Sequence, residues 1–312
     1  MDIYEFLEAI KMKLQAYYGD EYAVSICSIT KNNDHVKNGV TIRKNDENLA
    51  PTIYLDKQYE EYKDGRSFQD ITDELITTRS GCADSIGMDM DFFLDYARVK
   101  DKLRVKLISK ERNKNLLQDI PHMDFADLSV AFYVAIEDEK IGSGSILIRN
   151  EHIKEWGVSI DRLYEDARNA TIKEEPPYLA DLVNMLTEIY INKTHTSWKD
   201  MSADIRQSLE EMRSNKSNMY VLTNSSKLYG ATVIMYPGML EEIGDHIEDD
   251  YYVIPSSLHE VLIVPQYACP DGAELSAMVE DVNRTELDAT EILSEHAYRY
   301  HRDTHWLEPV MP

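Results

Sequence analysis

The residues best suited to chemistry in this chain of 312 residues lie between two apolar runs near its C-terminal end. The runs Tyr251–Ile254 and Val261–Val264 have the residue types of β-strands, which predicts a hairpin. The polar side chains between them are Ser256, Ser257, His259 and Glu260. Because the turn of a hairpin presents its side chains to solvent or to a cleft, these four residues are candidates for ligand binding or acid–base work.

The pair His259-Glu260 leaves several kinds of chemistry open. A His-Glu-x-x-His zinc motif is excluded because position 263 is Ile263 and the flanking residues are strand-like. The pair can still act as a metal ligand, a general base or an orienting pair. In the simpler alternative, His259 and Glu260 cap the hairpin while the two serines satisfy backbone groups in its turn. A serine hydrolase is disfavoured because the chain has no Gly-x-Ser-x-Gly elbow.

A second polar cluster precedes another apolar run. It contains His122, Asp124 and Asp127, which can supply part of a metal site or an acid–base pair. The catalytic hypothesis joins His122 and Asp127 to His259, with Asp124 as a binding residue. It requires both clusters to face one cleft. In the simpler alternative, Asp124 and Asp127 cap a short helical turn.

Three histidines, His296, His301 and His305, lie close together near the C-terminus. A helix would put His301 and His305 on one side and His296 on the other. Since two ligands are fewer than a structural zinc site needs, we assign no metal and expect a solvated segment. Glycine-rich phosphate loops and calcium loops are absent from the sequence, and the cofactor stays unknown.

The charge of the chain limits its partners. It has 57 acidic and 33 basic residues and a formal net charge of −24. Such a surface repels phosphate backbones, which disfavours direct nucleic-acid binding. Solubility explains the acidic balance most simply, and mimicry of nucleic acid toward a basic partner is a further hypothesis. The partner is therefore an unknown protein or small molecule.

The cysteines and the hydropathy indicate the compartment. Cys27, Cys82 and Cys269 are widely spaced and odd in number, as expected of reduced thiols. No run approaches the roughly 18 apolar residues that a membrane helix needs. We therefore expect a cytoplasmic protein that is not inserted in a membrane; the oligomeric state is not indicated.

The elements of the first part predict an α+β unit over residues 1–115. Apolar residues recur at helical spacing over residues 3–17, and strand-like runs follow at 22–29 and 39–43. The further elements expected in this unit are a strand at 52–55, helices at 58–63, 68–78 and 89–99, and a strand at 103–109. Strands and helices alternate irregularly, which favours mainly antiparallel sheet with packed helices.

The second part, residues 116–312, contains a pattern of an internal repeat. A β-β-α pattern over Phe132–Trp156 can be laid over Met219–His246, with a glycine in each second strand, so we hypothesise a duplication. Pro176-Pro177 is expected to open a helix with Leu179, Leu182, Val183, Leu186 and Tyr190 on one face. A helical insertion is expected at about 192–217, and a last helix from Asp288 to His301.

Short motifs across nearly the whole chain carry a family resemblance. They are Asn38-Gly39-Val40, Pro51–Leu55, Pro121-His122, Asp127-Leu128, Trp156-Gly157-Val158, Tyr220–Asn224, Gly230-Ala231, Tyr236-Pro237-Gly238, Pro255–Glu260 and Met278 to Thr285. Through them the chain resembles an uncharacterised domain-of-unknown-function family common in anaerobic gut Firmicutes. The insertion matches least well. The family has no established activity, so the resemblance implies membership and no chemistry.

Two main classes of function follow from the sequence. The first is a cytoplasmic regulatory or protein-interaction module that presents a cleft or groove to a partner. The second is a hydrolase-type enzyme, metal-assisted or not, that uses His259 and Glu260 with His122, Asp124 or Asp127. The polar residues occupy turn positions that ordinary structure also requires, which favours the first class.

Overall fold

The strands and helices form an α+β fold with antiparallel sheets, as the sequence predicts. The structure is a computed structural model that describes residues 1–45, 52–82, 91–138, 142–214, 219–269 and 271–311. In these residues the strands are β1 (Tyr22–Thr30), β2 (Val36–Lys44), β3 (Thr52–Tyr54), β4 (Leu103–Ser109), β5 (His122–Phe125), β6 (Leu128–Asp138), β7 (Gly142–Leu147), β8 (Pro177–Asp181), β9 (Tyr220–Asn224), β10 (Tyr251–Pro255), β11 (Val261–Pro265), β12 (Tyr298–His301) and β13 (Trp306–Pro309).

The helices pack on the faces and ends of these strands. In the described ranges the α-helices are α1 (Ile3–Tyr18), α2 (Asp56–Lys63), α3 (Phe68–Cys82), α4 (Asp91–Leu94), α5 (Tyr96–Val99), α6 (Leu116–Asp119), α7 (Asn150–Trp156), α8 (Ile160–Glu174), α9 (Leu182–Thr194), α10 (Ala203–Ser214), α11 (Met239–Ile247) and α12 (Gly272–Thr285). Residues 89 and 90 of the expected helix 89–99 lie outside the described residues. None of the described helices is long and apolar enough to cross a membrane.

Helix α1 begins and ends where the sequence predicts. The Asp2 carboxylate accepts a hydrogen bond from Glu5 N at 2.9 Å, and the Glu5 carboxylate accepts one from Asp2 N at 3.0 Å. This reciprocal capping box satisfies two backbone donors of the first turn. The buried residues of the helix pack on the sheet β1-β2-β3, and they are Phe6, Leu7, Ile10 and Leu14.

The turn between β1 and β2, here called the hairpin tip (Asn32–Asp34), attaches this N-terminal unit to the rest of the chain. The side-chain amide of Asn32 donates to Thr290 O at 2.8 Å. The Asn33 amide donates to two further carbonyls near Thr290, each at 2.8 Å. The Asp34 carboxylate accepts from Leu116 N at 2.8 Å. The tip therefore lies between two segments that are far apart in the sequence.

The second sheet is built on β6, which pairs with β4 on one side and with β5 and β7 on the other. The outer edge of β4 is covered by two threonine hydroxyls. Thr171 of α8 accepts from Val105 N at 3.0 Å, and Thr232 accepts from Leu107 N at 3.3 Å. Two backbone donors of this edge are thus satisfied without another strand.

The position of β4 bears on the division of the chain into units. The boundary expected from the sequence, between residues 115 and 116, would assign β4 and β6 to different units. The two strands nevertheless pair with each other from Leu103 to Ser109 of β4. The main hydrophobic cluster runs from Phe93 to Tyr300, whereas the N-terminal cluster ends at Leu75. We propose that the boundary between the two units lies upstream of Phe93.

The third sheet has the order β13-β12-β10-β11-β9-β8. The predicted hairpin forms its centre, with Tyr251 opposite Pro265 and Pro255 opposite Val261. Every residue of β10 is buried. The polar turn of residues 256–260 therefore connects two strands in the middle of a packed sheet.

The helix expected from Pro176 onward is wrong over its first turns. Pro177–Asp181 is the edge strand β8, which pairs with β9 and tolerates a proline that cannot donate to the ladder. The helix begins only at Leu182, because the Asp181 carboxylate caps it by accepting from Asn184 N at 2.9 Å. Leu179 consequently belongs to the strand.

The hypothesis of a β-β-α duplication is also wrong. In the second copy, Gly230–Met235 is a 3₁₀ helix and not a strand. Strand β9 already has β8 and β11 on its two sides, so no free edge remains for a further strand. The chain after Tyr229 is instead packed against the hairpin turn, with Ala231 N donating to Leu258 O at 3.3 Å.

The last predicted helix, Asp288 to His301, does not form. Asp288 caps a local turn by accepting from Thr290 N at 2.8 Å. The carbonyls of residues 289, 290 and 292 accept from the hairpin tip instead of from helical N–H groups. The chain then enters β12, which pairs with β10.

The expected insertion at about 192–217 contains the end of α9, a 3₁₀ turn at Trp198–Asp200 and helix α10. A small separate core joins these pieces through Val183, Met201 and Leu209. Helix α10 lies where the sequence predicts a helix within this segment, and residues 215–217 lie outside the described residues.

Candidate functional site

Strand β4 has apolar side chains on one face and cationic side chains on the other. Leu103, Val105 and Leu107 are buried, while Arg104 and Lys106 are only partly buried. Successive side chains of a strand point to opposite faces, so Arg104 and Lys106 share the second face. A pair of cations on one face of a half-buried strand is unusual and indicates either ion pairs or a ligand.

The register of the sheet places other polar residues on this same face. Tyr133 of β6 lies opposite Arg104, and Ala131 lies opposite both Lys106 and His122. Directly opposed residues of antiparallel strands point the same way. His122 therefore lies two strands, or roughly 10 Å, from Lys106 on a common face.

Tyr229 covers this face from the loop after β9. The Lys106 ammonium lies 4.6 Å from the centre of the Tyr229 ring. The centres of the Tyr133 and Tyr229 rings are 5.2 Å apart, with the two rings edge to face. Tyr229 has a φ of 52°, in the left-handed region that few residues other than glycine adopt. A bulky residue in this conformation is strained and is held there by its surroundings.

His259 completes the covering layer. Its ring stacks on that of Tyr229 with centroids 5.5 Å apart and planes inclined by 17°. Its Nδ1 accepts from Tyr229 N at 3.1 Å, so we place the proton of the neutral ring on Nε2. That nitrogen lies 3.8 Å from a carboxylate oxygen of Glu291. We call the surface formed by Lys106, Tyr133, Tyr229 and His259, together with the nearby cation Lys31, the Lys106 crevice.

The other predicted residues of the hairpin turn hold His259 in place. The Ser257 hydroxyl accepts from His259 N at 3.0 Å. The Glu260 carbonyl accepts from Ser256 N at 3.3 Å and from Ser257 N at 3.2 Å. Thr223 donates its hydroxyl to His259 O at 2.7 Å, which ties the turn to β9.

The ammonium of Lys106 has an unusual environment. Burial, and secondarily the nearby cation Lys31, lowers its pKa from 10.5 to about 8. Burial disfavours the charged form because water no longer solvates it. Among the described residues, no carboxylate lies close enough to Lys106 to offset that loss.

A deeper polar network lies beside the crevice. Arg104 Nε lies 3.5 Å from the Glu175 carboxylate, and both side chains are almost buried. Asn224 donates to the same carboxylate at 2.6 Å, and Tyr236 donates its hydroxyl to the Glu175 carbonyl at 2.9 Å. Burial raises the pKa of Glu175, although Arg104 opposes this. The buried hydroxyl of Tyr133 has no hydrogen-bond partner in the described part of the chain.

The cluster around His122 does not meet His259 directly. His122 Nδ1 donates to Ile120 O at 3.1 Å. Asp124 is exposed and pairs with Lys110 at 2.8 Å. Across the described ranges, no hydrogen bond or ion pair connects either residue with His259. His122 shares the face of Lys106 through the register of β4, β6 and β5, whereas His259 is linked to that face through Tyr229.

Asp127 lies in the turn between β5 and β6 and binds the C-terminal strand. Its carboxylate accepts from the Tyr298 hydroxyl at 2.8 Å and lies 3.0 Å from His296 Nε2. Partial burial opposes its ionisation, but these hydrogen bonds hold the pKa of Asp127 below its usual value. The contacts join a turn to a strand, which is a structural arrangement.

We expect Asp127→Ala to lower the free energy of unfolding by about 1.5 kcal/mol, because the buried Tyr298 hydroxyl loses its charged acceptor. The matched change Asp124→Ala removes only an exposed ion pair and should stay within about 0.5 kcal/mol of wild type. Urea denaturation at pH 7 measures both variants. Equal effects would contradict the structural role of Asp127.

The remaining histidines of the C-terminus lie on a hairpin and not on a helix. His301 contacts Glu308 at 2.7 Å and Asp250 at 3.3 Å, whereas His305 Nδ1 lies 3.1 Å from the Tyr300 hydroxyl. In the described ranges, no three His, Cys, Asp or Glu side chains gather as a metal site would require.

A shallow surface pocket of about 200 Å³ lies elsewhere, near α8. It is lined by Lys100, Asp101, Asp166, Asn169, Ala170, Lys173 and Glu174. Lys173 and Glu174 pair with each other at 2.7 Å. Charges of both signs line this pocket, so it favours no particular ligand.

Sequence reasoning identified His259 but missed Lys106, Arg104 and Tyr229. A signal for the first two was present, since β4 alternates apolar and cationic residues and alternation defines two faces. No local signal marks Tyr229, because its importance arises from contacts with Lys106 and His259 across two sheets.

Comparison with known proteins gives a family and no activity. The sequence model of a protein family described as "Family of unknown function (DUF5688)" matches residues 3–302. No curated protein and no solved structure matches the chain.

Proposed function

We propose that this chain, which belongs to the DUF5688 family of unknown function, is a binding module. Its Lys106 crevice holds an anionic group. That group belongs to a small molecule or to a partner protein. The module is regulatory and acts in the cytoplasm, a setting consistent with Cys27 and Cys269, which are free thiols in the described part.

One observation carries the proposal. In a chain with 57 acidic residues, the partly buried Lys106 lies near Lys31 and has no carboxylate partner among the described residues. Two cations that repel each other, with no described carboxylate between them, destabilise the folded state. An anion bound between them removes this penalty, as expected of an anion-binding site.

The surrounding residues suit this task. The Tyr229 ring, on which His259 stacks, lies against the ammonium on one side. His259 Nε2 lies 3.8 Å from the Glu291 carboxylate, so it is not counted as a donor to the anion. Arg104 is directed to Glu175 and is therefore not available as a second anion-binding residue.

A hydrolase built from the predicted residues is less well supported. Ser257 is buried and uses its hydroxyl to hold His259 N, so it does not have the position of a nucleophile. His259 has Glu291 as its neighbouring carboxylate, and not Glu260. His122, Asp124 and Asp127 each bind other groups.

Anion binding is tested by calorimetric titration with inorganic phosphate and with citrate at pH 7. We expect Lys106→Met to weaken binding at least about tenfold and Lys106→Arg to retain it, because arginine keeps the charge. Binding to wild type should weaken as the pH rises through about 8, where Lys106 loses its proton. The control Lys110→Met should bind as wild type does. Absence of binding to wild type, or equal binding by Lys106→Met, would contradict the proposal.

A further inference from the structure

The amine of Lys106 is partly buried and has no carboxylate partner among the described residues. It lies over the face of the Tyr229 ring at 4.6 Å, next to a second lysine. Lys110 pairs with Asp124 at 2.8 Å, and Lys63 pairs with Glu60 at 2.6 Å. A desolvated amine beside another cation is an arrangement that activates lysine as a nucleophile.

We infer that Lys106 captures the carbonyl carbon of an aldehyde or ketone that also carries an anionic group, and forms a covalent imine with it. The inference rests on the proposed function, since the crevice must first hold the anionic group beside Lys31. Lys106 then contributes its lone pair and not its charge.

The reaction balances without an oxidant or a reductant. The neutral amine attacks the carbonyl carbon, an N–C bond forms, and the π electron pair moves to the oxygen, which takes up a proton. The C–O bond then breaks, and the oxygen leaves as water with the two hydrogens that the amine nitrogen gave up. Amine and carbonyl thus give imine and water.

The protonation state of Lys106 supports the inference. With a pKa of about 8, about one tenth of the amine is neutral at pH 7. A lysine at 10.5 is neutral in only about one part in 3,000. The opposite holds for Lys63, where the hydrogen bond to Glu60 raises the pKa. The charged and titratable groups that lie near Lys106 are Lys31, Arg104, His122, Tyr133, Tyr229 and His259.

The test traps the imine by reduction. The folded protein is incubated at pH 7 with glyoxylate, a small aldehyde that carries a carboxylate, together with cyanoborohydride, and the labelled lysines are mapped by peptide mass spectrometry. We expect Lys106 to be labelled at least about tenfold faster than Lys110, with a rate that rises through pH 8. Unfolding in urea should abolish this preference, because it depends on the fold. Labelling of Lys106 no faster than Lys110 would overturn the inference.

Two further arms separate this inference from the proposed function. Lys106→Arg keeps the charge but cannot form an imine, so it should bind phosphate or citrate and leave the remaining lysines labelled at the Lys110 rate. Propanal, which has no anionic group, should label Lys106 at least about fivefold more slowly than glyoxylate, because Lys31 no longer attracts it. Equal labelling by both aldehydes would support the reactive amine and contradict the anion site. Anion binding without preferential labelling would support the site and contradict the imine.

Discussion

Replacement of Arg104 by methionine is expected to lower the free energy of unfolding at pH 7 by about 3 kcal/mol. This value is at the lower end of the range for variants that remove one partner of a buried ion pair. The reason is that Glu175, with 9% of its surface exposed, keeps its negative charge and loses its cation. Asn224 still donates one hydrogen bond to it, which does not replace a charge. Urea denaturation of the purified variant measures the loss.

The pH dependence of this variant distinguishes an ionic effect from lost packing. Burial already raises the pKa of Glu175, and removal of Arg104 should raise it further. A carboxyl whose folded pKa lies above its unfolded pKa contributes most to stability at low pH and loses that contribution as pH rises through the folded value. The deficit of Arg104→Met should therefore be smaller at pH 5 than at pH 7. The double variant Arg104→Met, Glu175→Gln should recover most of it. An equal deficit at both pH values would attribute the effect to packing.

Introduction of a methyl group at Gly230 is expected to cost about 3 kcal/mol or more, as severe overpacking does. A Cβ atom there would stand 2.0 Å from Thr223 Oγ1, 2.5 Å from His259 O and 2.7 Å from Asn224 N. Two of these atoms belong to the backbone and cannot turn away. The turn of His259 and the loop of Tyr229 would have to separate, so the Lys106 crevice should be lost together with stability.

The matched control for Gly230→Ala is Gly144→Ala. Gly144 is exposed, and no atom lies within 4 Å of the position of its added Cβ. We expect its free energy of unfolding to stay within about 0.5 kcal/mol of wild type. Thermal and urea unfolding measure both variants, and soluble yield serves if Gly230→Ala does not refold. A stable Gly230→Ala that still binds anions would contradict the packing described for this turn.

Elements that depend on neighbouring residues were predictable from the sequence. Helix α1 has its stripe of apolar residues and its capping residues within one segment. The hairpin of β10 and β11 follows from two apolar runs around a short polar turn, and its strands differ from the prediction by one residue at the end of each. In both cases the signal and the structure that it specifies occupy the same stretch of chain.

Elements decided by distant partners were not predictable in this way. The segment Asp288–His301 has helical capping residues, yet its carbonyls bind Asn32 and Asn33, which are more than 250 positions away. Leu179 fits a helical stripe as well as it fits a strand, and pairing with β9 makes its segment a strand. A single sequence records neither of these contacts.

The candidate site was predictable only in part, for the same reason. His259 was visible because polar residues between two strands form a turn. Lys106 became visible only when the register of β4 with β6 set its face and when Tyr229 was found above it. Residues 256, 257 and 260 have the predicted turn positions, and their described bonds hold the backbone of that turn.

The hairpin tip sets an order for the synthesis of the protein. Asn32 leaves the ribosome early, but its acceptor Thr290 lies 258 residues later in the chain. The N-terminal unit can pack its own core while the chain is still growing, because its hydrophobic cluster needs no residue beyond 76. Lys31 directly precedes the tip, so one wall of the Lys106 crevice acquires its final position only after nearly the whole chain has been translated. A ribosome-bound chain that ends before residue 289 should therefore have a folded N-terminal unit and no functional crevice.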